Sequence, residues 1–173
     1  KGLRVTCSAS VFVPKPFTPF QWCAQNTEEE QTRKRKYLEG LLRPIRGVQY
    51  KYHESKVCFI EAALARGDRR MSGVLYSAFR KGCKMDGWNE FFNYSKWLEA
   101  FEECGLSLEF YATRERPLDE VLPWDTVSCG VDKRYFKSEY EKSLKAQTTR
   151  DCRTGCTGCG MSKLLGGKCP CEQ

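Results

Sequence analysis

Residues 3–13, LRVTCSASVFV, are rich in β-branched residues with partial period-two alternation, and they predict a strand. Pro14, Pro16 and Pro19 end it in a PKPFTPFQW loop, because proline lacks the amide that a strand or helix interior needs. Thr27 and Glu30 have capping-box spacing, and Glu28 and Glu29 add negative charge to a first turn. A helix is therefore expected over about 28–42, stopping before Pro44. VQYKYH, residues 48–53, alternates with period two after Gly47 and predicts a second strand. Strand, helix, strand with a crossover of this length is the unit of a parallel sheet.

Beyond residue 54 the apolar spacing becomes helical. Val57, Ile60, Glu61 and Leu64 place a helix over about 56–66, with Ser55 as its cap and Gly67 as its end. Further helices are expected over about 70–81, 95–104, 117–121 and 132–146, the first two of these ending near Gly82 and Gly105. The last stretch, TTRDCRTGCTGCGMSKLLGGKCPCEQ, is rich in Gly and Cys and has almost nothing to bury, so a bound metal is expected to give it shape.

The chain has 173 residues, too few for a complete (β/α)8 barrel of roughly 250 residues. Its net charge of +7 suits a phosphate-bearing partner without identifying one. No apolar run is long enough to span a membrane, and the start, KGLRVTCSASVFVP, does not read as a signal peptide. It opens almost directly into a strand and is read as a piece of something longer. The eleven cysteines are an odd number with no secretory signal, so a reducing, cytoplasmic compartment is expected. Six are scattered, several in apolar stretches where a thiol acts as a small hydrophobe. The other five, Cys152, Cys156, Cys159, Cys169 and Cys171, crowd the C-terminal end.

Cys152-x-x-x-Cys156-x-x-Cys159 puts three thiolates within eight residues, with Gly155 and Gly158 allowing close wrapping. Such a triplet can ligate an iron–sulfur cluster or a zinc ion, with a fourth ligand from Cys169 or Cys171. His53, the single histidine, falls at the carboxyl end of the second strand, where ligands of parallel α/β folds bind. Lys15 follows the first strand in the same manner, placed to meet a carboxylate or phosphate. The run Arg33-Lys34-Arg35-Lys36 on the crossover helix reads either as a nucleic-acid surface or, by default, as a solvated helix face.

Taken in order, SVFVPKPFTPFQW, HESKVCFIEAALARGDRR, KMDGWNEFF, FEECGL, FYATRERPLDEVLPWD and DCRTGCTGCG resemble the C-terminal part of a bacterial radical S-adenosylmethionine family. Its members carry an N-terminal cobalamin-binding-type domain and associate with a radical-SAM-linked companion. The resemblance implies an α/β fold. Residues 1–54 would be the last strand–helix–strand units of a partial (β/α)6 barrel, 55–147 a mainly helical extension, and 148–173 a Cys-rich tail that binds a metal or cluster. It implies that the upstream section reductively cleaves S-adenosylmethionine at a 4Fe–4S cluster to start radical chemistry, with cobalamin as a further cofactor. Only 14 residues follow Cys159, so a cluster in this tail would be auxiliary and the section catalytically inactive by itself. On the same resemblance, Lys15 and His53 are cosubstrate-contacting residues and the five tail cysteines are metal ligands. Expected partners are the upstream barrel and cobalamin-type domain, and the companion protein. The competing expectation is a zinc-stabilised basic module that binds RNA or protein without catalysis.

Overall fold

The first strand forms over Val5–Ala9 (β1) and the second over Val48–Tyr52 (β2), and they pair in parallel with Val5 opposite Val48 and Ala9 opposite Tyr52. This computed structural model describes residues 2–167. Between the strands runs α1, Glu28–Leu42. The expected strand–helix–strand unit is thus present, with a first strand shorter than the alternation suggests. Thr27 caps α1 by accepting the Glu30 amide at 3.4 Å. The reciprocal half of the box is missing because Glu30 turns to Arg33, which donates to it through Nε and Nη2 at 2.7 Å each.

Four helices follow: α2 (Ser55–Arg66), α3 (Met71–Arg80), α4 (Tyr94–Glu103) and the short α5 (Leu108–Ala112). Three were expected. The fourth, α5, arises because Ser107 accepts the Phe110 amide at 3.0 Å while Leu108, Tyr111 and Ala112 are buried. The helix expected over 117–121 is absent. There the chain only turns, because the Arg116 amide is committed to the Trp22 carbonyl at 2.9 Å and Pro123 cannot continue a helical ladder.

The chain falls into two compact units. The first, Lys1–Pro14 with Ala24–Glu115, has its core among α2–α5, where Phe59, Ile60, Val74, Trp97, Phe101 and Tyr111 pack together. Fully buried Ala62, Ala63 and Ala112 let the helix backbones approach closely. Arg66 is 0% exposed and donates to the Ala112 carbonyl at 2.6 Å and the Arg114 carbonyl at 2.7 Å, tying α2 to the end of α5. Gln25 adds a bond from Nε2 to the Cys58 carbonyl at 3.1 Å.

The second unit, Lys15–Cys23 with Arg116–Gln173, packs Trp22, Leu122, Trp124 and Phe136. Phe136 belongs to α6, Lys133–Leu144. Gln21 organises this core: its Oε1 accepts from Trp124 Nε1 at 2.7 Å and from the Phe17 amide at 3.1 Å. The second bond holds Phe17 at φ +58, a left-handed conformation that costs a non-glycine residue about 1–2 kcal/mol. A 3-10 turn at Cys152–Thr154 and a one-turn helix, α7 (Met161–Leu164), complete the described chain. No helix among the described residues is long and apolar enough to cross a membrane.

Candidate functional site

The sheet has two unlike faces. In β2, Val48 and Tyr50 are half-buried while Gln49 and Lys51 are exposed; in β1, Cys7 and Ala9 are half-buried while Thr6 and Ser8 are exposed. The period of two puts Cys7, Ala9, Val48, Tyr50 and Tyr52 on one face, which α1 covers: Arg35 of α1 lies over the Tyr52 ring at 4.7 Å. Thr6, Ser8, Gln49 and Lys51 occupy the other face, with Thr6 opposite Gln49 and Ser8 opposite Lys51. That face is uniformly polar. None of these four residues was singled out from the sequence, although the alternation of VQYKY carries the signal.

His53 lies just past β2, exposed, at the carboxyl end where the sequence puts it. It lines a groove of about 240 Å³ between α1 and the covered face of the sheet, together with Phe12, Gln31, Lys34, Arg35, Tyr50 and Ser55 among others. Burial pushes the Tyr50 phenol up from its ordinary value, so it stays a neutral hydroxyl. Lys15 is exposed in the proline-rich loop and its carbonyl accepts from Thr18 Oγ1 at 2.8 Å. It belongs to the second unit, whereas His53 belongs to the first. The basic run is engaged within its own helix and sheet. Arg33 and Lys34 both reach Glu30, at 2.7 and 3.6 Å, and Arg35 stacks on Tyr52. The Arg33 guanidinium holds the Glu30 carboxyl down to about 2.

In the tail, Cys152 and Cys156 are exposed and Cys159 is partly covered. Cys169 and Cys171 lie outside the described residues. Cys156-Thr157-Gly158-Cys159-Gly160 is irregular, with φ +71 at Gly158 and +95 at Gly160, and the Gly158 amide donates to Cys156 Sγ at 3.4 Å. Cys152 belongs to a separate turn capped by Asp151. Among the described residues, no group of three or more His, Cys, Asp or Glu side chains is gathered closely enough to hold a metal ion.

The tail meets the N-terminal turn of α6 through polar contacts. The Asp132 amide donates to the Cys159 carbonyl at 2.8 Å, Tyr135 donates from its hydroxyl to Thr157 Oγ1 at 3.2 Å, and Lys163 bridges to Asp132 at 2.8 Å. The Lys163 ammonium holds the Asp132 carboxyl below its usual range. Gly160 is required at this junction, since a Cβ there would meet the Asp132 carboxylate at 2.7 Å. The Met161 and Leu164 side chains add apolar contact by lying over Gly130.

Comparison with known proteins adds no relative: no protein-family model matches the chain, and neither a curated protein nor a solved structure is similar to it.

Proposed function

We propose that this chain is the closing section of a radical S-adenosylmethionine enzyme. In this reading β1–α1–β2 is the last wall of a partial (β/α)6 barrel, α2–α5 form a helical extension, and the Cys-rich tail holds an auxiliary iron–sulfur cluster. The observation that carries it is the one-sided parallel sheet: α1 on one face, and Thr6, Ser8, Gln49 and Lys51 bare on the other.

Two parallel strands do not make a stable sheet, because parallel sheets occur buried among further strands and helices. A doubly wound sheet would carry a second helix layer on the bare face, and that layer would select apolar residues there. Four polar side chains favour a barrel wall whose inner face meets bound ligands. Lys51, near the carboxyl end of β2, is then a cosubstrate- or substrate-contacting cation, and His53 sits at the rim.

The tail residues fit a cluster in part. Cys156 and Cys159, which bracket Thr157 and Gly158, would be two of its ligands, and the remaining ones would come from Cys152, Cys169 and Cys171. In the full-length enzyme, the upstream 4Fe–4S cluster would supply the electron that cleaves S-adenosylmethionine. This section would contribute barrel wall, ligand contacts and exclusion of water.

The test is anaerobic reconstitution of the full-length protein with iron and sulfide, read by absorbance and iron content. The expected result is the broad absorbance of iron–sulfur clusters, with iron content reduced by one cluster's share in the Cys156→Ser, Cys159→Ser double variant. Featureless spectra with zinc retained by the tail would replace this reading with the zinc-stabilised binding module.

A further inference from the structure

The second unit holds a cavity of about 390 Å³ whose walls include Phe17, Gln21, Trp124, Asp125, Lys133 and Phe136. Gln21 is 2% exposed. Its Oε1 accepts from both Trp124 Nε1 and the Phe17 amide, and two N–H donors there settle which end of the side-chain amide is the oxygen. The NH2 end is turned away from those donors, and its Nε2 donates to no described residue. Trp22 Nε1 is sealed from solvent, whereas Gln21 Nε2 keeps accessible surface. A nearly buried donor without a protein partner, in the wall of a cavity, is satisfied by an acceptor that enters the cavity.

Charge decides which kind of acceptor. Lys133 is the one cation among the described lining residues, and it is held by the Asp125 carboxylate and the Glu120 carbonyl. Asp132, which also lines the cavity, is balanced by Lys163. An anion would therefore find no unpaired cation and would approach two carboxylates, so a neutral ligand is favoured. Asp125 offers the complementary group. Its Oδ2 accepts from the Leu122 amide and from Lys133 Nζ, which leaves Oδ1 open to a donor. Phe17, Trp124 and Phe136 supply aromatic walls that suit a flat ring.

We propose that this cavity binds a small neutral aromatic lactam, a flat ring that carries a carbonyl beside an N–H. Gln21 Nε2 donates to the carbonyl, the lactam N–H donates to Asp125 Oδ1, and the ring lies among Phe17, Trp124 and Phe136. Every described lining residue belongs to the second unit, whereas the barrel reading rests on the strands of the first, so either assignment can fail alone.

The test titrates the full chain by calorimetry with four probes, each alone: quinazolin-4-one, its 3-methyl derivative, quinazoline and quinoline-4-carboxylate. The 3-methyl derivative keeps the carbonyl and lacks the N–H, and quinazoline lacks both. Quinazolin-4-one should bind saturably and most tightly, with the 3-methyl derivative roughly three- to tenfold weaker, the worth of one hydrogen bond, and quinazoline weaker again. The carboxylate should not bind. Gln21→Glu keeps an acceptor for Trp124 and Phe17 but replaces the donating NH2 with an oxygen, and it should weaken quinazolin-4-one at least tenfold. Absence of saturable binding overturns the proposal, as does the carboxylate binding tighter than the lactam, or Gln21→Glu binding the lactam as the parent chain does. If Gln21→Glu does not fold, as judged by circular dichroism, the ranking of the four probes decides the matter in the same way.

Discussion

The first unit contains two kinds of structure that differ in how they satisfy their own side chains. Helices α2–α5 enclose Phe59, Ile60, Val74, Trp97 and Phe101, each at most 5% exposed, and Arg66 has backbone carbonyls for its guanidinium. Strands β1 and β2 bury no residue below the half-covered level, and Leu3, Val5, Tyr37, Leu41 and Ile45 stand exposed around them and α1. The helical part has a buried core, although Leu75, Tyr76, Phe79 and Phe110 stand exposed on its surface, whereas the two strands have no buried residue.

Mutations can sharpen or break that contrast. Trp97→Ala should cost about 3–5 kcal/mol in urea unfolding, since it removes a large side chain from a closed core. Tyr50→Ala on the half-covered sheet should cost less than about 1.5 kcal/mol, because most of its cavity would open to solvent. Equal costs would mean that the sheet is as closed as the helices. Arg66→Met should cost about 2–3 kcal/mol, as it strands two carbonyls that a charged donor now satisfies.

Acid should act on a smaller scale. Hydrogen bonding from Arg70 holds the Asp68 carboxyl down to about 2, against the opposing effect of burial. A depressed carboxylate contributes stability above its unfolded value of 3.8 and loses it as pH falls through about 2. Because the Arg70 side chain is 62% exposed, solvent screening limits that contribution to about 1 kcal/mol. Asp68→Asn should flatten acid unfolding between pH 4 and pH 2 by about that amount, read by fluorescence at constant ionic strength. Lys51→Ala should change stability by less than about 0.5 kcal/mol, as an exposed residue on the bare face. A larger loss would show that the face is already packed.

Much of this was legible in the sequence because local chemistry decides it. Thr27 at the cap, and Gly82 and Gly105 after their helices, both with positive φ, fix element ends through backbone constraints that one or two residues carry, whereas β1 ends at Ala9, before the Pro14 expected to stop it. Residues 117–121 turn where a helix is expected, and 108–112 form one that the sequence does not announce, because long-range bonds and burial decide them: Arg116 to Trp22 in the first, and the buried faces of Leu108 and Tyr111 in the second. Ser55 was expected to cap α2 and instead becomes its first residue, with no side-chain cap before it. The site was legible only in part. His53 and the cysteines announce themselves by residue type, but the shared polar face of Thr6, Ser8, Gln49 and Lys51 exists only once the two strands pair in register.

The central claim is that β1 and β2 belong to the wall of a barrel that houses radical chemistry. The most direct measurement is 5′-deoxyadenosine formation by the full-length protein, reconstituted anaerobically and supplied with S-adenosylmethionine and a reductant. The account expects 5′-deoxyadenosine to accumulate, and to fall at least tenfold in Lys51→Ala while the fold and iron content hold. No 5′-deoxyadenosine above the level without protein, from a preparation with intact iron–sulfur absorbance, would contradict it.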